Sequence, residues 1–159
     1  RQSLRLKPDY ATPMSNLGSI LTEQGKFDEA MEHYTEALRL EPDMAVPMLG
    51  IAWLLATHPD PNQRDASKAV ELAERAMELT ELPGAWHFDV LAAAYAAEGI
   101  FEQAQAAAEK ALALAHEEHN NKLAGEISER LELYKGAKPY RESAQPQNTS
   151  ISDSKDAQH

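Results

Sequence analysis

The sequence predicts an all-α chain in which antiparallel helix pairs stack side by side, and three observations point there. The first is a period. Leu4-x-Leu6-Lys7-Pro8-Asp9-Tyr10 recurs as Leu38-x-Leu40-Glu41-Pro42-Asp43-Met44, so Pro8 and Pro42 lie 34 residues apart, as do Leu17-Gly18 and Ile51-Ala52. Self-similarity at such a spacing marks an array of one repeated supersecondary unit. The second is composition: Ala, Glu and Leu dominate, aromatics are 6% and Gly is 7 of 159 residues. That balance suits helices packed through small side chains, because Ala and Leu are the least costly residues in a helix. The third is the recurrence of apolar residues at three- and four-residue steps, the signature of amphipathic helices.

Residues 1–10 read as the end of a truncated repeat, with 1–7 the end of a second helix whose partner is missing and Leu4 and Leu6 on an uncovered seam; further repeats are expected before Arg1. The unit 11–44 places Met14, Leu17-Gly18 and Leu21 on a first helix and Ala30, Tyr34 and Ala37 on a second, broken near Gly25-Lys26. Asp28 is expected to cap the second helix and Pro42 to end it. The unit 45–84 carries Met48, Ile51-Ala52 and Leu55, then Ala69, Ala73, Ala76 and Leu79. Ala52 and Ala92 are 40 residues apart, so this unit is about six residues too long, and the excess falls in a proline-punctuated insertion at 58–65. Asp65 is expected to cap the following helix, with Arg64 solvated or bonded to a loop carbonyl.

The unit 85–118 brings Phe88, Leu91-Ala92, Tyr95, Ala104, Ala108, Ala111 and Leu114. Gly18, Ala52 and Ala92 on first helices are expected to face Ala30, Ala69 and Ala104 on second ones, where a larger residue would force the pair apart. Leu123, Ile127, Leu131 and Tyr134 then share one stripe, with Glu126, Glu129, Arg130 and Glu132 elsewhere. They predict a helix over 121–135, within a cap spanning 121–136, that covers the last repeat, as the terminal face of a solenoid requires. Gly136 is expected to stop it and 138–142 to close the fold. Residues 143–159 hold one large apolar residue, Ile151, and read as a disordered tail.

Fifteen basic against 26 acidic residues give a net charge of −11. Such a surface repels phosphate backbones and anionic headgroups, so neither nucleic-acid binding nor direct membrane contact is expected. No apolar run approaches the roughly 20 residues of a membrane-spanning helix. The absence of cysteine excludes disulfides and thiolate chemistry and does not distinguish one redox compartment from another. No targeting segment is recognisable, and the compartment, cytoplasm or periplasm, is not specified.

Leu17, Gly18, Leu21, Ala30, Tyr34, Ala37 and Pro42 together resemble the tetratricopeptide repeat, a helix-turn-helix unit of this length. The resemblance extends over 1–142, and the 53–80 stretch is similar to a variant repeat of bacterial multidomain proteins. It implies a right-handed superhelix of about three units plus the capping helix, with first helices lining a concave groove. It implies a non-catalytic scaffold that binds a peptide or protein partner there, without cofactor. Two alternatives accompany this reading: a substrate-recruiting appendage of a larger bacterial glycosyltransferase or kinase, and a self-association module.

Mapped onto this sequence, the family's groove positions are Thr12, Ser15, Asn16, Ser19, Thr22 and Glu23, then Val46, Leu49, Gly50, Trp53 and Ala56, then Trp86, Asp89, Val90, Ala93 and Ala97. The candidate binding residues are Asn16, Ser19, Glu23, Leu49, Trp53, Trp86 and Asp89. Asn16 matches the asparagine that holds peptide backbone in the repeats of O-linked N-acetylglucosamine transferases, although Gly50 and Val90 break that ladder; it reads equally as a solvated or cap-bonding side chain. Trp53 and Trp86 bury large areas at little entropic cost, either against a ligand or against the neighbouring repeat, and the 58–65 loop is placed to cover Trp53. Asp89 reads as a partner for a basic ligand group or as a solvated or capping carboxylate. Ser15 and Ser19 stand where the clamp for a chaperone carboxy-terminus needs Lys and Asn, so that activity is not expected.

Enzymatic chemistry has little to rest on. His116-Glu117-Glu118-His119 spaces its histidines at i, i+3, whereas a zinc helix needs i, i+4; no metal site is expected. No glycine-rich phosphate loop and no nucleophile elbow occur, and Asn148-Thr149-Ser150 is a chance acceptor triplet. An active site within the chain is not expected.

Overall fold

The computed structural model describes residues 10–143. The truncated repeat at the start, the seam of Leu4 and Leu6, the tail beyond Ser143 and the Asn148 triplet lie outside those residues. Seven α-helices and no strand are found among the described residues: α1 Ala11–Glu23, α2 Phe27–Leu40, α3 Ala45–Thr57, α4 Ala66–Glu78, α5 Ala85–Glu98, α6 Phe101–Glu117 and α7 Asn121–Lys135. They form three hairpins, α1–α2, α3–α4 and α5–α6, followed by α7, each helix packed on its predecessor. The fold is a helical solenoid.

Local chemistry sets the boundaries. Gly25 and Gly99 take left-handed φ values of 77° and 85°, a conformation that costs glycine little, and they turn the first and third hairpins. Asp65 caps α4, accepting from the Lys68 amide at 3.1 Å, while Arg64 donates to the His58 carbonyl at 2.8 Å. The insertion itself contains a single 3-10 turn at Pro61–Gln63. Asp28 does not cap α2: the helix begins at Phe27 with no side-chain cap. Asp28 sits in the first turn instead, where a carboxylate still meets the positive end of the helix dipole. α7 ends at Lys135 with Gly136 at its C-cap, and the left-handed conformation falls one residue later, on Ala137 at φ 57°.

Three buried clusters run along the stack. Leu21, Phe27, Ala30 and Tyr34 meet Ile51 and Leu54. Met48, Leu49, Ala52, Ala69 and Ala73 meet Val90 and Ala93. Ala92, Ala104, Ala108 and Ala111 meet Ile127, Leu131 and Tyr134 of α7, which thus covers the last hairpin. The small-residue seam of the first two hairpins has a further occupant, the Tyr34 ring. A Cβ built on Gly18 would lie 2.7 Å from its carbons, and one built on Gly50 would fall inside the ring's van der Waals envelope.

Candidate functional site

The first helices of the hairpins, α1, α3 and α5, together with α7, surround a cavity of about 670 Å3. Its walls are Ser19, Thr22 and Glu23 from α1, Val46, Gly50 and Trp53 from α3, and Trp86 and Asp89 from α5. Leu123, Glu126, Glu129, Arg130 and Leu133 come from α7, and Tyr34, Tyr140 and Glu142 complete it. Of the residues the sequence nominates, Ser19, Glu23, Trp53, Trp86 and Asp89 therefore meet in one space. Asn16 is exposed on α1 but stands outside the lining. Leu49 has 0% exposure. It packs among Met48, Ala52 and Val90, turned into the core because the all-apolar α3 is covered on more than one side. Ser15 is likewise buried.

Asp89 is buried, not solvated, and it is paired inside the chain. Arg130 donates Nε to Oδ1 at 3.0 Å and Nη2 to Oδ2 at 2.7 Å. Burial pushes the Asp89 carboxyl upward, with the guanidinium opposing it. Burial also acts against the Arg130 charge, but Asp89 outweighs it and holds the guanidinium protonated. Fork-on-fork geometry of this kind is among the stronger polar contacts available to a protein, and it locks α7 to α5. Arg130 also lies over the Trp53 and Tyr140 rings, its Cζ 5.1 and 5.2 Å from their centroids.

Trp53 is engaged by the segment 140–142 that follows α7. Its indole N–H donates to Glu142 Oε1 at 3.2 Å, and its ring meets Tyr140 at 5.6 Å between centroids. The same segment finishes the end of α3. A helix leaves its last four carbonyls without intrahelical partners, and here each finds a donor. Leu54 accepts from the His58 amide and Leu55 from the Asp65 amide, both at 3.0 Å. Ala56 accepts from Arg141 Nη1 at 2.8 Å, and Thr57 from the Glu142 amide at 2.7 Å. Trp86 packs against the Met48–Leu49–Val90 cluster, meets the ring of His87 edge-on at 6.0 Å and borders the cavity; among the described residues its indole, unlike that of Trp53, makes no side-chain hydrogen bond and no cation–π contact.

The α7 wall and the returning segment 140–142 are the parts of the site that the sequence did not nominate. One signal was available: Arg130 lies three residues after Ile127 and four before Tyr134, on the flank of the buried stripe, and a buried Asp89 requires a cation.

An open stack of hairpins whose first helices line a groove is the architecture of a helical-repeat protein, stabilised by neighbour-to-neighbour packing. Residues 13–44 match the tetratricopeptide repeat family, and the chain thus carries a tetratricopeptide repeat formed by α1 and α2. Such repeats are protein–protein interaction units and generally not catalytic. No curated protein matches the chain. Among the described residues no group of three or more His, Asp or Glu is placed to hold a metal ion, and no helix is long and apolar enough to cross a membrane.

Proposed function

We propose that this chain is a protein-binding scaffold that receives an extended segment of a partner protein in the cavity between α1, α3, α5 and α7. The observation that carries this reading is the cavity itself, on the side lined by first helices, with the Trp86 indole at its wall. A half-buried indole at a concave surface offers a large, rigid contact area and is typical of binding hot spots. The polar groups around it, Ser19, Thr22 and the carboxylates, supply hydrogen-bond partners for a peptide backbone without demanding one sequence. Trp53, Asp89 and Arg130 shape the site from behind, being engaged with one another.

The test is selection of random nonapeptides displayed on phage against the wild-type chain, with Trp86→Ala as the comparison after circular dichroism shows it folded. Synthetic peptides made from the selected sequences are expected to lose about tenfold or more in affinity, roughly 1.4 kcal/mol, on Trp86→Ala. Peptides bound equally by both proteins would place the binding surface elsewhere.

A further inference from the structure

We propose that the segment this groove accepts is cationic, presenting an Arg or Lys side chain to the carboxylates of the cavity. The proposal rests on the groove reading above and names its ligand class. Beyond the Asp89–Arg130 pair, the lining carries Glu23, Glu126, Glu129 and Glu142, and it contains no lysine and no second arginine. Among the described residues Glu23, Glu126 and Glu129 take part in no ion pair, the pairs being formed by other side chains. Glu142 spends one oxygen on the Trp53 indole. A concave wall of one sign focuses its field into the space it encloses, and that field reaches Tyr140. Burial pushes its phenol upward, and Glu142 and Glu126 add to the shift against the opposing Arg130.

The chain itself shows what this surface accepts. A guanidinium, that of Arg130, is already seated against Trp53 and Tyr140 and forked onto a carboxylate. The remaining space offers a second guanidinium the same ingredients, the Trp86 ring and unpaired carboxylates. Arg is the better fit because its planar group stacks on aromatics and forks onto carboxylates, whereas Lys brings a point charge. Val46, Leu123 and Leu133 in the same lining call for apolar residues beside the cation. A peptide supplies both and a simple polyamine does not. The net charge of −11 adds long-range attraction for a basic segment.

The selected peptides decide the matter by their composition and their response to charge removal. Expected are sequences richer in Arg and Lys than in Asp and Glu. Binding, followed by fluorescence anisotropy, should weaken with rising salt. It should fall about tenfold or more both when citrulline replaces each Arg and when the protein carries Glu126→Gln/Glu129→Gln. Glu23→Gln, on α1, provides an independent variant should the α7 pair perturb folding. Neutral or acidic peptides that are still lost on Trp86→Ala would overturn the cationic ligand and leave the groove standing. Peptides indifferent to Trp86→Ala, or failure to select any binder, would overturn both readings. Spermidine binding as tightly as the peptides would overturn the peptide as the source of the cation.

Discussion

Tyr34 sets the distance between the first two hairpins, and it does so through two glycines. Its ring, 2% exposed, fills the space above Gly18 and Gly50, and its hydroxyl donates to Ser19 Oγ at 3.2 Å. Adding a methyl at position 50 forces the ring or the helix to move, so Gly50→Ala is expected to cost about 1–3 kcal/mol, read as a lower urea midpoint. Gly125 is the control: a Cβ there meets nothing within 4 Å. Gly125→Ala, inside α7, should stabilise by up to about 1 kcal/mol. Equal effects of the two substitutions would refute the ring's assigned place. Residue identity alone did not reveal this. Gly50 occupies a position aligned with Asn16 and reads as groove floor, because a missing side chain shows its purpose only beside the ring that fills it. The inward turn of Leu49 and the pairing of Asp89 with Arg130 escape the sequence for a related reason: helical spacing gives the direction of a side chain on its own helix, but not what a later helix brings against it.

Helices are the scale at which periodicity is most informative. The break at Gly25-Lys26, the insertion at 58–65 and the last helix over 121–135 were all legible, since each is punctuated by Gly, Pro or a capping residue. The start of α5 at Ala85 was legible as well, but its cap was not, because the cap comes from within the helix. Gly84 has no side chain to cap with, and its amide instead donates to His87 Nδ1 at 3.1 Å, while the Ala85 amide donates to Glu118 Oε1 at 3.1 Å. Nδ1 accepts only when it carries no proton. Burial accordingly holds His87 below its ordinary 6.5, with Glu118 pulling the other way. The unfolded chain therefore takes up this proton more readily than the folded one. Stability from this cap is full above the unfolded value and declines as pH falls from there through the folded value. His87→Gln keeps an acceptor in the position where glutamine serves in a capping box and removes the titration. Thermal melts at neutral and mildly acid pH should show a smaller loss on acidification for the variant than for the wild type. An unchanged loss would mean that other histidines carry the pH dependence.

Across the whole molecule, a solenoid ordinarily couples each unit only to its neighbours, and this chain adds contacts that skip along it. Residues 140–142 return to α3, where Arg141 and Glu142 take the carbonyls of Ala56 and Thr57, and Glu142 holds the Trp53 indole. The sequence leads to a cap over the last hairpin and to a closing segment at 138–142, but not to the place where that segment lands. A short polar segment carries no period and no apolar stripe to announce its contacts with α3. The energetic consequence can be measured. Arg141→Ala/Glu142→Ala removes a charge-assisted bond to a helix terminus and the indole's acceptor but keeps the Glu142 backbone amide. At about 0.5–1.5 kcal/mol for a neutral bond and more for a charged one, the loss should total about 1–3 kcal/mol. Its location is more diagnostic than its size. With Trp86→Phe in the background, the emission of Trp53 should shift to the red as the indole gains water. Amide exchange should accelerate from the end of α3 through His58 and Asp65, while α1 and α2 hold their protection. Uniform acceleration would instead show that the segment supports global stability without closing the α3 end of the groove.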